Sequence, residues 1–385
     1  MRTWVTEASA TPVGELWGLA PETTYRWEAV ADGGSASGDV TTGSLPSDFD
    51  GMSLSTSGDA PAADAFLTNL SCGGFTGLVM VDAAGRVVWY QDVDSDGGTG
   101  SLAGVTGFDR DADGTLLTAI DGERLVQWSP MGDVLAEATG FDHPLHHDVA
   151  IEDGRVWALF AEEIDGRVID GFVVVDGSAE VASWSLADHV SVSGTTNSND
   201  GFWGQVFPGA SDWAHANSIE VQDGVALLSF RWLDAVMGVP VAPEDGDFGE
   251  PLFTLVGQSG GAVDGDVVFT DGGGFDGQHH ASWSSDGHLA VFDNGTSSSR
   301  GLHIDVDLDA GTASEAASYA VGHSCQVQGS VYDLPGGDVL VTCADAGEAS
   351  AWPAEGGSSS WSMTLTCGGS RSGGSTTTRV MPISW

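Results

Sequence analysis

Histidine recurs in three short stretches, "HPLHHDVAI" (143–151), "DWAHANSIEV" (212–221) and "GQHHASW" (277–283), each time just before a short alternating strand. Each strand then reaches an Asp-Gly pair, Asp153-Gly154, Asp223-Gly224 or Asp286-Gly287, which between alternating apolar runs is a hairpin signal. Imidazole serves as nucleophile, as general acid or base, or as metal ligand near neutral pH. If the three stretches are equivalent parts of one repeat, His147, His215 and His279 converge on a single site.

The elements that must position these histidines are short and numerous. The 385-residue chain has 56 glycines, 14 tryptophans and many Asp-Gly and Gly-Gly pairs, but no long stretch of helical periodicity. That pattern predicts an all-β fold of short strands and tight turns. From about residue 65 a strand–turn–strand unit recurs: "FTGLVMVDAAGRVVWYQDV", "DRDADGTLLTAIDGERLVQWSP", "HHDVAIEDGRVWALFAEE", "ANSIEVQDGVALLSFRWLDAV", "HHASWSSDGHLAVFDNG" and "GSVYDLPGGDVLVTCAD". Each unit is followed by more strand-like sequence, at spacings of roughly 35 to 70 residues, which suits four-stranded blades better than solenoid repeats. Six units predict a six-bladed β-propeller over residues 65–367. In a propeller the first strand of each blade lines the central channel. His147, His215 and His279 begin the third, fourth and fifth units, so neighbouring blades present them to one another.

Residues equidistant from a hairpin turn lie opposite each other. His215 and Arg231 are each eight residues from Asp223, so Arg231 returns to the end of the blade that holds His215 and Asn217. In the fifth unit the same construction brings Asp293 and Asn294 back toward His279 and His280. Strict alternation along a strand admits only one of His146 and His147 to the channel, and only one of His279 and His280. The other member of each pair is expected behind the site or in solvent.

The formal charge is −45, with 11 arginines and no lysine. So acidic a surface repels nucleic acid and anionic membranes, which excludes both as partners. An anionic substrate can bind only where local donors outweigh the field, which draws attention to Arg231. Cys72, Cys325, Cys343 and Cys367 form no Cys-x-x-Cys pair, which speaks against a zinc knuckle. Cys325 and Cys343 flank one predicted hairpin, and Cys72 and Cys367 lie near the two ends of the repeat region, where a bridge closes the ring. No segment approaches a membrane span. The first residues lack the basic and apolar regions of a signal peptide, so the expectation of export rests on composition alone unless the true start lies upstream.

Residues 1–45 resemble the last strands of a fibronectin type III domain, with Leu19, Tyr25 and Trp27 in the rhythm of such strands and only about half a sandwich present. Residues 46–64, rich in Ser, Asp, Ala and Pro, are expected to be a linker, and 368–385 a C-terminal tail. In "DRDADG", Asp109, Asp111 and Asp113 have the alternate spacing of the first half of an EF-hand loop, but the twelfth position is Ile120 rather than glutamate. Turn chemistry is the plainer account of that string.

Taken together, "HHDV", "DWAHANSI…LLSFRWLD", "QHHASW…DGHLAVFDNG" and "GSVYDLPGGDVLVT" resemble the bacterial arylsulfotransferases (arylsulfate sulfotransferases), in the right order and across residues 65–367. The resemblance implies a six-bladed propeller, often with a small N-terminal β-domain, working in the periplasm or outside the cell. It implies transfer of a sulfuryl group from an aryl sulfate to a phenol, ping-pong through a sulfohistidine, with no nucleotide or metal cofactor. By the same resemblance His279 matches the nucleophile, His147, His215 and Asn217 the other channel donors, and Arg231 the arginine that binds the sulfate oxygens. His146, His280 and Asn294 complete the expected substrate-binding set. The family pattern has aspartate after the nucleophilic histidine where this chain has His280, so either His279 or His280 is open as nucleophile.

Two other readings of the same residues stand beside this one. Three channel imidazoles can hold zinc or copper in a metal hydrolase or oxidase, although Arg231 opposes a second cation there. A secreted propeller can also keep the fold as a non-catalytic binding module. The sequence leaves the physiological donor and acceptor and the oligomeric state open.

Overall fold

The computed structural model describes residues 16–31, 33–95, 97–193, 201–258, 263–295, 297–368 and 377–384. Short strands joined by Asp-Gly turns build six sheets around one axis. At Asp153-Gly154 and Asp223-Gly224 both turn residues have positive φ, 51° and 80°, then 52° and 74°, the left-handed pair that a two-residue type I′ hairpin requires.

From the third blade on, the predicted units are the first two strands of each sheet. The second unit instead holds only Asp109 and Arg110 of its first strand before Leu116–Ile120 and Arg124–Trp128. All five blades from the second on begin at the channel. Their inner strands are Val105–Arg110, Leu145–Glu152, Ala216–Gln222, His279–Trp283 and Ser330–Asp333. An inner strand has a neighbour in its own sheet on one side only, and its remaining amides are satisfied by the preceding blade. The Ile151 amide donates to Asp109 Oδ2, that of Ile219 to Asp148 Oδ2, and that of Ala281 to Ser218 Oγ. These bonds fix the angular spacing of the blades.

The first unit is displaced by one strand. "FTGLVMV" and "VVWYQD" are the third and fourth strands of the first blade, behind Ala65–Cys72, and its inner strand is Met381–Ile383 from the C-terminal end. The expected tail at 368–385 therefore contributes a channel strand, while its residues 369–376 lie outside the described residues. The expected linker at 46–64 is likewise corrected, because Met52–Gly58 pairs with Trp361–Cys367 as the outermost strand of the sixth blade. Both ends of the chain thus lock the ring, one at the rim and one at the axis. Residues 24–41 form a two-stranded hairpin with mostly exposed faces, in which the Tyr25 hydroxyl accepts from the Ala20 amide at 2.8 Å.

Both expected disulfides form. Cys72–Cys367 joins the first blade to the sixth across 295 residues of sequence, and Cys325–Cys343 closes an 18-residue separation beside the channel. Replacing Cys72 and Cys367 by serine is expected to lower unfolding stability by about 2–4 kcal/mol, because the bridge removes ring-opening entropy from the unfolded chain. Chemical denaturation of oxidised wild type and the double variant measures it, and equal midpoints would show that the terminal strands hold the ring unaided.

Candidate active site

The inner strands do not run straight into the channel mouth. Their pairing registers shift between Val105 and Gly107, Leu145 and Val149, Ala216 and Ser218, and His279 and Ala281. Such bulges re-aim side chains. At or beside three of them the backbone turns left-handed on a histidine: His147 at φ 52°, His215 at φ 56° and His280 at φ 54°. Left-handed backbone is uncommon away from glycine and collects at functional sites.

The bulges correct one sequence expectation. His279 and His280 both border the central cavity, together with His147, Asn217, Gln328 and Arg379. Strand alternation fails because an extra, left-handed residue intervenes. The cavity holds about 30 Å³, room for about two waters and so for a small charged group rather than a whole aromatic ester.

His147, His215 and His279 do converge. The rings of His147 and His215 lie 4.7 Å apart by centroid. Burial first, then the Arg231 charge and the His215 ring, hold His279 well below the usual imidazole range. His147 is held down by burial and then by His215, His146, His279 and Arg231. Arg231 is also where the hairpin arithmetic put it: its amide donates to the His215 carbonyl at 3.1 Å, from the 3-10 turn Arg231–Leu233. Its Nη2 donates to the Gln326 carbonyl at 2.8 Å, and its guanidinium lies 4.3 Å from the centre of the Trp232 ring.

The hydrogen-bond network assigns the protons on His279. Asn294 Nδ2 donates to the carbonyls of Cys325 at 2.8 Å and Gln328 at 3.0 Å, which leaves its Oδ1 as acceptor. That oxygen lies 2.7 Å from His279 Nδ1, so the neutral ring carries its proton on Nδ1 and a lone pair on Nε2. Asn294, expected to bind substrate, instead orients His279. The other expected return residue, Asp293, pairs with Arg300 at 2.9 Å.

His280 lines the same cavity but has different neighbours. Its Nδ1 faces the Val331 amide at 3.5 Å, its Nε2 is buried without a hydrogen-bond partner, and its ring meets Tyr332 at 4.5 Å. Burial and then Arg379 lower its pKa, with no contribution from the upper histidines. Asn217 lines the cavity, donates from Nδ2 to the Gln278 carbonyl at 2.6 Å, and has a buried, unpartnered Oδ1. His146, also expected to bind substrate, is fully buried behind His147. Its Nδ1 lies 2.8 Å from His147 Nδ1, and its Nε2 lies 3.2 Å from Asp170.

Several residues of the site were not singled out from sequence. Asp212 Oδ2 lies 2.5 Å from His215 Nδ1 and accepts from the Trp232 indole at 2.9 Å. Its position three residues before His215, inside the quoted "DWAHANS", was the available signal. Phe202 stacks on His147 at 4.5 Å and meets His215 at 5.4 Å. It comes from a long connection after the third blade that carries no repeat pattern.

Arg379 is the largest omission. It enters the axis from the C-terminal segment, donates to Asp148 Oδ2 at 2.9 Å and to the Phe108 carbonyl, and lies over the Phe108 ring. Burial would lower its pKa, but Asp148, Tyr332, Asp109 and Glu220 together raise it. Burial pushes Asp148 up to about 7, Asp109 to about 6 and Glu220 to about 8, with Arg379 pulling each of them down. Asp109 and Glu220 are part-exposed by area, yet the channel wall encloses them.

The carboxylates of "DRDADG" separate. Asp109 caps the Ile151 amide, Asp111 those of Ala112 and Gly154, and Asp113 that of Thr115. Turn and strand chemistry occupies all three.

Comparisons with known proteins bear on this arrangement. The family model described as arylsulfotransferase (ASST) matches residues 59–328. No curated protein sequence matches the chain. Among solved structures, a protein of unknown function from Bacteroides caccae aligns with a TM-score of 0.52 at 10% identity, covering 83% of this chain and 99% of that one. Virginiamycin B lyase from Staphylococcus aureus aligns at 0.43 and 10% identity, over 82% and 99% of the two chains. The first likeness concerns the fold alone, and the second carries no argument.

Proposed function

The chain belongs to the arylsulfotransferase family, and from that premise we propose that it moves a sulfuryl group from an aryl sulfate to a phenol through a sulfohistidine on His279. The observation that carries this reading is the protonation of His279. Asn294 holds the proton on Nδ1, which leaves the Nε2 lone pair free in a ring that lines the cavity with Asn217, His147 and His280 and lies near enough to Arg231 to feel its charge.

Sulfuryl transfer, like phosphoryl transfer, passes through a loose transition state with charge spread over the nonbridging oxygens. Arg231 and a protonated imidazole supply positive charge to those oxygens. His279 Nε2 forms a bond to sulfur as the sulfur–aryloxygen bond breaks. His215, backed by Asp212, gives its proton to the departing phenolate. The acceptor phenol then returns a proton to His215 and attacks sulfur, breaking the nitrogen–sulfur bond and restoring His279. The relay Asp170–His146–His147 orients the third imidazole. Since the cavity admits only the sulfuryl end, the aryl ring is left to the side of His215, whose ring Phe202 and Trp232 flank at 5.4 and 5.6 Å. The two disulfides suit an oxidising compartment, periplasmic or extracellular, and no described helix is long and apolar enough to cross a membrane.

The test uses 4-nitrophenyl sulfate with and without a phenol, together with intact-mass detection of a sulfuryl adduct on a histidine peptide. Acceptor-dependent release of nitrophenol with an adduct at His279 supports the reading. Vigorous release without acceptor makes the protein a hydrolase, and neither release nor adduct makes it a binding module.

Two further results are expected. Replacing Asn294 by alanine frees the His279 ring to rotate, and should lower kcat on the order of 100-fold with KM little changed. A matched loss in KM would instead place Asn294 on the substrate. Because burial and Arg231 depress the His279 pKa, its free base persists below the ordinary imidazole value of about 6.5. The donor half-reaction should hold its plateau as pH falls through that ordinary value and decline only below it. An acid limb centred above about 6.5 would contradict the assignment.

A further inference from the structure

A second group of metal-type side chains sits at the far end of the fifth blade's inner strand from His279. Asp286 and His288 flank Gly287 in the turn after His279–Trp283, and His303 lies on the third strand, opposite Ala290. One ligand atom from each of Asp286, His288 and His303 lies within 4.8 Å of the other two. Asp286 Oδ1, which also accepts from Ser284 Oγ, stands 2.9 Å from Nδ1 of His288, and Asp305 Oδ1 stands 2.9 Å from its Nε2. His303 is only 5% exposed, yet its Nε2 has no hydrogen-bond partner, and Asp333 Oδ1 stands 3.5 Å away.

Protons on His288 leave the buried His303 Nε2 still without a hydrogen-bond partner. A neutral imidazole has a single N–H, so His288 meets both carboxylates only as an imidazolium or by giving one nitrogen to a cation. Asp286, Asp305 and Asp333 surround two imidazoles, and among the described ion pairs no arginine reaches them. An adjoining groove of about 220 Å³ beside Asp286, His288 and Asp305 leaves a solvent route for an ion and its waters.

We infer that Asp286, His288 and His303 bind one divalent cation of the zinc class. Two imidazoles and a carboxylate suit zinc and its neighbours, whereas calcium and magnesium take oxygen ligands. Asp305 orients His288 through Nε2 as an outer partner, and Asp333, 3.5 Å from His303 Nε2, adds negative charge beside the ion. Asp333 belongs to the sixth blade and also accepts from Ser285 N and Oγ, each at 2.6 Å. The ion therefore fastens the turn of the fifth blade to its neighbour, independently of sulfuryl transfer.

The test is titration calorimetry of the chelator-treated full chain with zinc, calcium and magnesium, with thermal melts alongside. One zinc per chain with a saturable rise in Tm, and neither effect with calcium or magnesium, is the expected result. His288→Ala and His303→Ala should each weaken zinc binding about 10-fold or more, while His323→Ala, beside the Cys325–Cys343 disulfide, should not. His288 is part-exposed, so its variant reports even if the His303 variant fails to fold. No saturable zinc binding, or binding that survives His288→Ala and is lost in His323→Ala, overturns the inference.

Discussion

His279→Ala is expected to abolish transfer, lowering kcat by at least about 10⁴-fold, since removing a covalent nucleophile leaves only binding and electrostatic assistance. No neighbour can substitute. Water lacks the imidazole's nucleophilicity, and His280 directs its ring toward Tyr332 and Arg379 rather than toward Arg231. The variant leaves Asn294 Oδ1 without its donor, a cost of about 1–3 kcal/mol, so circular dichroism and a melt must accompany the kinetics. His280→Ala is the paired control and should retain the sulfuryl adduct. If His279→Ala keeps activity within about tenfold and His280→Ala loses it, the nucleophile has been assigned to the wrong member of the pair.

Arg379→Met is expected to be the most destabilising single change, by about 3–5 kcal/mol, because it strands buried carboxylates without their cation. Asp148 loses its ion pair, and Asp109 and Glu220 lose the charge that pulls their pKa values down. The pH dependence separates this cause from lost packing. A carboxylate whose folded pKa is raised penalises the folded state above that pKa, and the penalty disappears as pH falls toward the unfolded value near 4. Without Arg379 the folded values rise above those of the intact protein, about 6, 7 and 8, so the deficit should open above about pH 6 and still be growing at about pH 8. It should shrink as the solution is acidified toward about pH 5. Histidine protonation is common to both proteins and largely cancels in the difference. Denaturant midpoints for the pair at both pH values decide it, and a deficit indifferent to pH would mean that the carboxylates do not sense the guanidinium.

Much of this was legible before any coordinates because the signals are local. Period-2 alternation and Asp-Gly turns specify hairpins within about twenty residues. Counting from Asp223 placed Arg231 against His215 because a two-residue turn sets register on both sides. The same locality explains the errors. Alternation fails where a bulge inserts a left-handed residue, and nothing in the string "HHDV" or "QHHASW" announces the sign of φ at His147 or His280. Met52–Gly58 and Met381–Ile383 looked like a linker and a tail because their partners lie some three hundred residues away.

The sequence by itself determined the repeated hairpins, the ring they form, and which three histidines share its mouth. Only the tertiary structure decided that His279 and His280 border one cavity with different neighbours, that Asn294 sets the proton on His279, and that Arg379 joins them there from the C-terminal segment. Those facts depend on closing the ring. Closure brings side chains from five blades and the C-terminal segment into a low-dielectric space, where each group's charge is set by neighbours far away along the chain.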